Sequence, residues 1–505
     1  MSRWAVVVLC LVAALPACGG AAADKPAAST GPDTDTLPDT APPDDTAEPG
    51  TCARFGFPEP ESWALPPVAG AGPWRASASL QCGADDEVLY MLQDLDGDGL
   101  ADFVLVRDCA SLDGTGDDHW VVYRGTGSGW SDTAESWSLP LPQRPYGWAN
   151  NRADSCEAAP QSRFALKDVT GDERPDLVLF DDCDDSTAVG SGSWRVHVGG
   201  EGGFDTEGVE WVVSEAPLAA AFTLPEKREC GDDQTPRYTL SDVDGDDVPD
   251  LLLTGDCGAH PGLGRAHWIV IPGTGAGFDA GATQTLELPD LGEGVELPIS
   301  GALGCQSPTD LVFGFGDTDQ DDDRDLIISG YCDGRSEPGT TRWDVYRYED
   351  GALSPEPVPL ELPDLGVDRG WVRAGGVRCS AENPIAQAFW DVDGDERWDV
   401  LVRESCVDSA QPGLGTDHYR LWLRNDDMSL SEELRFELPT DPEGTLYLDL
   451  QDDFCGHPGD RLVETGRLNG DAVPDLITTH GCAADAAIGW TEWGVALGGC
   501  LERSR

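Results

Sequence analysis

One nine-residue stretch occurs six times along the chain at nearly constant spacing. Its copies are Asp94-Leu-Asp-Gly-Asp-Gly-Leu-Ala-Asp102, Asp168-Val-Thr-Gly-Asp-Glu-Arg-Pro-Asp176 and Asp242-Val-Asp-Gly-Asp-Asp-Val-Pro-Asp250, followed by Asp317-Thr-Asp-Gln-Asp-Asp-Asp-Arg-Asp325, Asp391-Val-Asp-Gly-Asp-Glu-Arg-Trp-Asp399 and the worn Arg467-Leu-Asn-Gly-Asp-Ala-Val-Pro-Asp475. Their starts lie 74, 74, 75, 74 and 76 residues apart. A fixed period of this kind means one supersecondary unit copied in tandem.

Within the stretch, carboxylates crowd positions one, three, five and nine. Like charges this close repel unless a cation sits between them. The donors are all hard oxygens, and the spacing matches the first half of an EF-hand loop. The continuation does not. An EF-hand runs into a helix, whereas Leu251-Leu-Leu follows Asp250 directly and reads as a strand. Each acidic loop therefore joins two strands, A before it and B after it.

The second repeat shows the whole unit. Phe164 to Val169 alternates as A, Asp176 to Phe180 is the apolar B, Trp194 to Val198 alternates as C, Gly199 to Gly203 is a turn, and Glu207 to Val213 is D. Other repeats start C at Trp120, Trp268, Trp343, Tyr419 and Trp493, and end D in sequences such as Trp137-Ser-Leu-Pro140. Four antiparallel strands per repeat make a propeller blade. The sixth repeat ends before its own D strand. Gly56-Phe57 to Trp63-Ala-Leu-Pro66 has the content and spacing of Gly129-Trp130 to Trp137-Ser-Leu-Pro140. The expectation is an all-β, six-bladed propeller over 52–505, closed by the N-terminal strand; an open solenoid is the alternative.

The cysteines keep the same period. Cys82 and Cys109, Cys156 and Cys183, Cys230 and Cys257, Cys305 and Cys332, Cys379 and Cys406, and Cys455 and Cys482 are each 27 residues apart and flank the six loops. The loop turns the chain at one end of the A–B pair, which brings both flanking cysteines to the other end. Disulfides within repeats follow from this, with pairing between neighbouring repeats as the alternative. Cys52 and Cys500 remain at the two ends of the ring and are expected to lock the seam. Even spacing without CxxC pairs points to disulfides in an exported chain, not to zinc.

Residues 1–18 read as a signal peptide: Arg3, an apolar run from Ala5 to Leu15, then Leu15-Pro-Ala-Cys18. The apolar run is too short to span a membrane. Its end resembles a bacterial lipobox, which implies cleavage before Cys18 and lipidation of that residue; an ordinary secretory signal is the alternative. Residues 19–51 are a Pro-, Thr- and Asp-rich tether with too few apolar residues to fold. The expected place is the bacterial envelope, at the outer membrane or cell surface, held by lipid alone. The formal net charge of -62 argues against nucleic acid as a partner.

The Asp-x-Asp-Gly-Asp-Gly-x-x-Asp loop beside an apolar strand resembles the FG-GAP/VCBS repeats, as in the propeller of integrin α chains. The resemblance spans about residues 53–500. It implies calcium held by positions one, three, five and nine, with about four to five structural ions. The implied ligands are Asp94, Asp96, Asp98 and Asp102; Asp168, Thr170, Asp172 and Asp176; Asp242, Asp244, Asp246 and Asp250; Asp317, Asp319, Asp321 and Asp325; and Asp391, Asp393, Asp395 and Asp399. Thr170 weakens the second site, and Gln320 replaces the usual Gly in the fourth. In the sixth, Arg467 and Asn469 replace two donors, and the Arg467 guanidinium is expected to stand in for the ion between Asp471 and Asp475.

No nucleophile elbow, phosphate loop or helical HExxH is present. His119, His267 and His418 recur at one position and read as packing or surface residues. The expectation is a non-enzymatic, calcium-stabilised scaffold that binds an unknown protein or glycan, with a lectin or carbohydrate-active enzyme on the same fold as the alternative. An envelope assembly component is a third reading.

Overall fold

The computed structural model describes residues 52–503 except for 68–87, 109–113, 141–147, 149–162, 182–188, 191, 214–236, 256–261, 292–296, 298–310, 322, 332–337, 350, 367–369, 372–384, 406–412, 426, 440–460, 472 and 482–490. The signal segment, the tether and Cys18 lie outside the described residues. So do the cysteines of the six repeat pairs: Cys82 and Cys109, Cys156 and Cys183, Cys230 and Cys257, Cys305 and Cys332, Cys379 and Cys406, Cys455 and Cys482. Of the expected disulfides, the seam bond between Cys52 and Cys500 is the one that falls on described residues, and it is present.

At the N-terminal end are β1 (Cys52–Gly56) and β2 (Glu61–Ala64). Blade one is β3 (Val88–Gln93), β4 (Asp102–Asp108), β5 (His119–Tyr123) and β6 (Glu135–Ser138). Blade two is β7 (Arg163–Lys167), β8 (Asp176–Asp181), β9 (Ser193–His197) and β12 (Val209–Val212), with a small hairpin of β10 (Gly199–Gly200) and β11 (Gly203–Phe204) between its last two strands. Blade three is β13 (Arg237–Ser241), β14 (Asp250–Gly255), β15 (His267–Ile271) and β16 (Gln284–Glu287). Blade four is β17 (Leu311–Gly316), β18 (Asp325–Tyr331), β19 (Arg342–Tyr346) and β22 (Val358–Glu361), with the hairpin β20 (Tyr348–Glu349) and β21 (Ala352–Leu353). Blade five is β23 (Ile385–Trp390), β24 (Asp399–Ser405), β25 (His418–Trp422) and β26 (Leu434–Glu437). Blade six takes β27 (Arg461–Gly466), β28 (Asp475–Gly481) and β29 (Glu492–Ala496), and β30 (Gly499–Arg503) follows.

Within each blade the strands pair antiparallel in chain order, giving six four-stranded sheets in a six-bladed β-propeller. The fourth strand of blade six is β2, which pairs antiparallel with β29 and sets Trp63 opposite Trp493. The N-terminal strand thus closes the ring, as its likeness to Gly129–Pro140 predicts. Beside it, β1 pairs antiparallel with β30, and Cys52 is bonded to Cys500 across a Cα separation of 5.7 Å. The seam is joined by hydrogen bonds and by a covalent link.

The core is divided among the gaps between blades. Each of six buried apolar clusters draws on two adjacent blades, including one between blade six and blade one around Trp493, Trp63, Phe103 and Tyr90. The aromatic at the head of each third strand faces a large residue on the fourth: Trp120 opposite Trp137, Trp194 opposite Trp211, Trp268 opposite Leu286, Trp343 opposite Leu360, Tyr419 opposite Phe436. All of these are buried. Their burial assigns them to packing and not to a glycan-stacking surface. Removing one such Trp side chain costs about 3–5 kcal/mol.

The turn between the third and fourth strands does more than reverse the chain. Its second limb reaches the fourth strand of the preceding blade: β11 pairs parallel with β6 through Gly203 and Ser138, and β1 pairs likewise with β26. The residue after that Gly then packs into the preceding blade. Phe204 lies against Trp120 and Trp137, Phe278 against Trp194 and Trp211, Trp130 against Trp63, and Phe57 against Phe436. Gly203 has φ +153, and a Cβ there would fall 2.6 Å from the Ser138 carbonyl oxygen. Gly is therefore required at position 203.

Candidate metal centre

The six acidic loops are the turns between the first and second strands of the blades. Adjacent loops touch. The Arg174 side chain of loop two donates to the Asp96 carbonyl of loop one over 3.1 Å, and Gln320 of loop four donates to the Asp395 carbonyl of loop five over 2.9 Å. Gln320, at the usual Gly position, holds a left-handed φ of +62 and uses its amide to reach the next loop.

Each loop is built by carboxylates that accept backbone N–H groups. In loop one, Asp94 accepts from Gly97 and Gly99, both over 2.8 Å. In loop five, Asp391 accepts from Gly394, Asp395 and Glu396. The fifth-position Asp caps the seventh residue, as Asp98 does for Leu100 and Asp246 for Val248. The ninth-position Asp has a wider span. One oxygen accepts from the second residue of its own loop, and the other from a backbone N–H at the end of the third strand. Asp102 binds Leu95 and Gly125, Asp176 binds Val169 and Gly199, and Asp250 binds Val243 and Gly273. Asp325, Asp399 and Asp475 repeat this with Thr318 and Tyr348, Val392 and Arg424, and Leu468 and Gly498. These six carboxylates are at most 1% exposed. The spacing of the motif marks the residue but not this second partner, which lies beyond the following strand.

In four loops the carboxylates converge. Asp94, Asp96 and Asp102 form one group; Asp242, Asp244 and Asp246 another; Asp317, Asp319 and Asp321 a third; Asp391, Asp393 and Asp399 a fourth, each with oxygens within 4.8 Å of one another. Asp98, Asp250, Asp325 and Asp395 stand outside these groups. The second loop, with Asp168, Thr170, Asp172 and Asp176, forms no such group among the described residues. In the sixth, Arg467 is exposed and forms no ion pair with Asp471 or Asp475; Asn469 instead donates to Asp471 over 2.7 Å. The exposed guanidinium does not bridge those carboxylates as the sequence suggested, though its charge favours the ionised form of Asp471.

The converging oxygens fit a hard divalent cation. The Oδ1 atoms of Asp96, Asp319 and Asp393, all third-position residues, are buried and have no hydrogen-bond partner. An orphaned buried carboxylate oxygen is costly, and a cation would satisfy it. Burial also raises the carboxyl pKa values, to about 6 for Asp102 and Asp242, about 7 for Asp250 and about 8 for Asp399. Neighbouring carboxylates add to this rise, as Asp393 does for Asp399. The recurring histidines take modest roles: His119 and His418 each pair with the preceding aspartate, Asp118 and Asp417. A cleft between loop four and blade five, lined by Asp317, Trp398 and Arg424, has about 10 Å³ of free space, room for roughly one water.

No family model matches the sequence, and no curated protein matches it. Solved structures align with the chain at low identity. A chain of the Photorhabdus luminescens Tc holotoxin pore aligns with 88% of this chain at 14% identity and a TM-score of 0.44; this chain spans 15% of its length. An Agrocybe aegerita lectin described as recognising non-reducing terminal N-acetylglucosamine aligns with 85% of this chain and 86% of its own length, at 17% identity and a TM-score of 0.41. A mutant Trypanosoma rangeli sialidase aligns with 88% of this chain and 58% of its own, at 12% identity and a TM-score of 0.24. The sequence-based expectation of a non-enzyme is corrected here: sialidases and a rhamnogalacturonan lyase are among the similar structures. Identities of 11 to 15% establish no activity for this chain.

Proposed function

We propose that this chain is a calcium-stabilised propeller of the FG-GAP/VCBS kind that presents a rigid binding surface to a protein or glycan at the cell envelope. The observation that carries the metal reading is the buried, partnerless Oδ1 of Asp96, Asp319 and Asp393, each inside a group of three converging carboxylates. Calcium suits such loops because it accepts many oxygens in flexible geometry, whereas magnesium demands a tighter octahedron. Asp94, Asp96 and Asp102 would hold it in blade one, with the corresponding groups in blades three, four and five. Bound there, the ion supplies charge neutralisation and pins the turn.

The binding role rests on architecture. A closed ring holds its connecting loops at fixed positions, and loops on a rigid scaffold are where recognition usually resides. Lipidation at Cys18 and the tether over 19–51 would hold this ring at an outer membrane or cell surface.

The experiment is calcium titration of the exported chain after EDTA treatment, with metal content by mass spectrometry. Four equivalents, one per converging group, and a raised melting temperature support the reading. Binding no better than that of magnesium, with no change in melting, contradicts it. A glycan array read for both binding and turnover then separates a sugar ligand from a protein ligand and reports any catalysis. Palmitate labelling lost in Cys18→Ala tests the anchor.

A further inference from the structure

The residue just before the backbone donor to the ninth-position Asp differs among the blades. It is Arg124, Val198, Pro272, Arg347, Leu423 and Leu497 in blades one to six. Blades one and four alone place a cation there. Arg124 Nη1 lies 2.7 Å from Asp96 Oδ2 and 3.2 Å from Asp102 Oδ2. Its Nε pairs with Glu135 over 3.1 Å, its Nη2 donates to the Glu201 carbonyl over 3.0 Å, and its guanidinium lies 4.9 Å above the Trp137 ring. Arg347 Nη1 lies 3.1 Å from Asp319 Oδ2.

In both blades the guanidinium holds Oδ2 of the third-position Asp, and Oδ1 of that same residue is the buried atom without a hydrogen-bond partner. Asp244 and Asp393, the third-position residues of loops three and five, form no ion pair with any described residue. Loop five does contain a cation, Arg397, which pairs directly with Asp395; its charge reaches Asp393, and that of Arg324 reaches Asp242 in loop three, but neither makes an ion pair with a carboxylate of the converging group.

The affinity of a calcium loop follows its ligand charge count, and partners behind the ligands set their orientation. A guanidinium on the third-position carboxylate lowers the effective negative charge of the loop. It also relieves repulsion when no ion is bound. We propose that Arg124 and Arg347 are internal counter-ions that divide the loops into two classes. Loops one and four bind divalent cation more weakly and keep their shape without it. Loops three and five bind it more tightly and depend on it. This rests on the calcium reading given above.

The test is calorimetric titration of the exported chain with calcium alone, comparing wild type with the double variant Arg124→Gln/Arg347→Gln. Wild type should show two affinity classes. In the variant, loops one and four should tighten by about tenfold or more, the effect expected of a charge at this range. The EDTA-treated variant should melt lower than EDTA-treated wild type. Lysine at both positions keeps the charge and should restore the wild-type classes. Weaker calcium binding in the Gln variant would make these arginines merely structural supports and overturn the proposal, as would an unchanged isotherm. If the double variant does not fold, Arg347→Gln alone reads loop four by the same criteria. Wild type that binds no calcium defeats the metal reading itself, whereas wild-type binding with unaltered variants defeats only this inference.

Discussion

Loops five and six share the bonds made by their fifth and ninth residues and differ in their donors. In both, the ninth-position Asp ties the second residue to the end of the third strand: Asp399 accepts from Val392 and Arg424, Asp475 from Leu468 and Gly498. In both, the fifth-position Asp caps the seventh residue, Asp395 for Arg397 and Asp471 for Val473. They part at positions one and three. Loop five has Asp391 and Asp393, and its carboxylates converge; loop six has Arg467 and Asn469. Positions five and nine bracket the turn in both loops. In loop five, positions one and three join the ninth-position Asp in a charge cluster that calls for a cation, and Asp391 also accepts three backbone N–H groups. Loop six is the internal control, a turn of this kind bracketed by Asp471 and Asp475 without the two acidic donors at positions one and three.

The comparison is broken most severely by removing calcium. Each site saturated at a hundredfold excess contributes about 2.7 kcal/mol, so EDTA should lower the melting temperature more than any single substitution below. Hydrogen exchange locates the effect. The amides of Gly394 and Glu396 should lose protection, while that of Leu468 keeps it; equal loss in both loops would erase the distinction.

The seam comes next. Blade six, unlike blade five, is assembled from both ends of the chain, and Cys52–Cys500 joins them across 448 residues. Cys52→Ser should cost about 2–5 kcal/mol and expose blade six first in limited proteolysis. Cleavage that begins in blade five would contradict the seam's role.

Asp475→Ala leaves two backbone N–H groups without their acceptor, a loss of about 2–4 kcal/mol. Chemical denaturation should give the same loss with calcium and with EDTA. A loss that appears only with calcium would make Asp475 a ligand and not a bracket. Asp393→Ala is the smallest and opposite case. It should cost about 1–3 kcal/mol in calcium and little or nothing in EDTA, where it removes a carboxylate that has no hydrogen bond through Oδ1.

Much of this was legible before any coordinates. The period of the Asp stretch fixes the number of blades, and the likeness between Gly56–Pro66 and Gly129–Pro140 identifies the strand that closes the ring. Both are patterns in sequence distance, so composition and spacing record them. The bracket role of the ninth Asp is not of this kind, because its second partner, such as Gly273 for Asp250, lies beyond an intervening strand and carries no side-chain signature. The same applies to Gly199–Phe204. It reads as a turn, yet its second limb pairs with blade one, a contact that arises only when blades pack. The arginines at 124 and 347 belong to no motif either: their place is shared only by the ends of third strands, outside the acidic loops. Loop two shows the limit of motif reading: it keeps the pattern with one Thr, and its carboxylates do not converge.

The central claim is that positions one and three complete a cation site on a turn that positions five and nine already bracket, and loop six permits a gain-of-function test. Arg467→Asp combined with Asn469→Asp restores the donors of loop five on a turn bracketed by Asp471 and Asp475. Calorimetry of this double variant should find one more calcium equivalent than wild type, with a matching rise in melting temperature. An unchanged stoichiometry in a folded variant would contradict the account, because the frame of positions five and nine would then not suffice to present the donors at positions one and three.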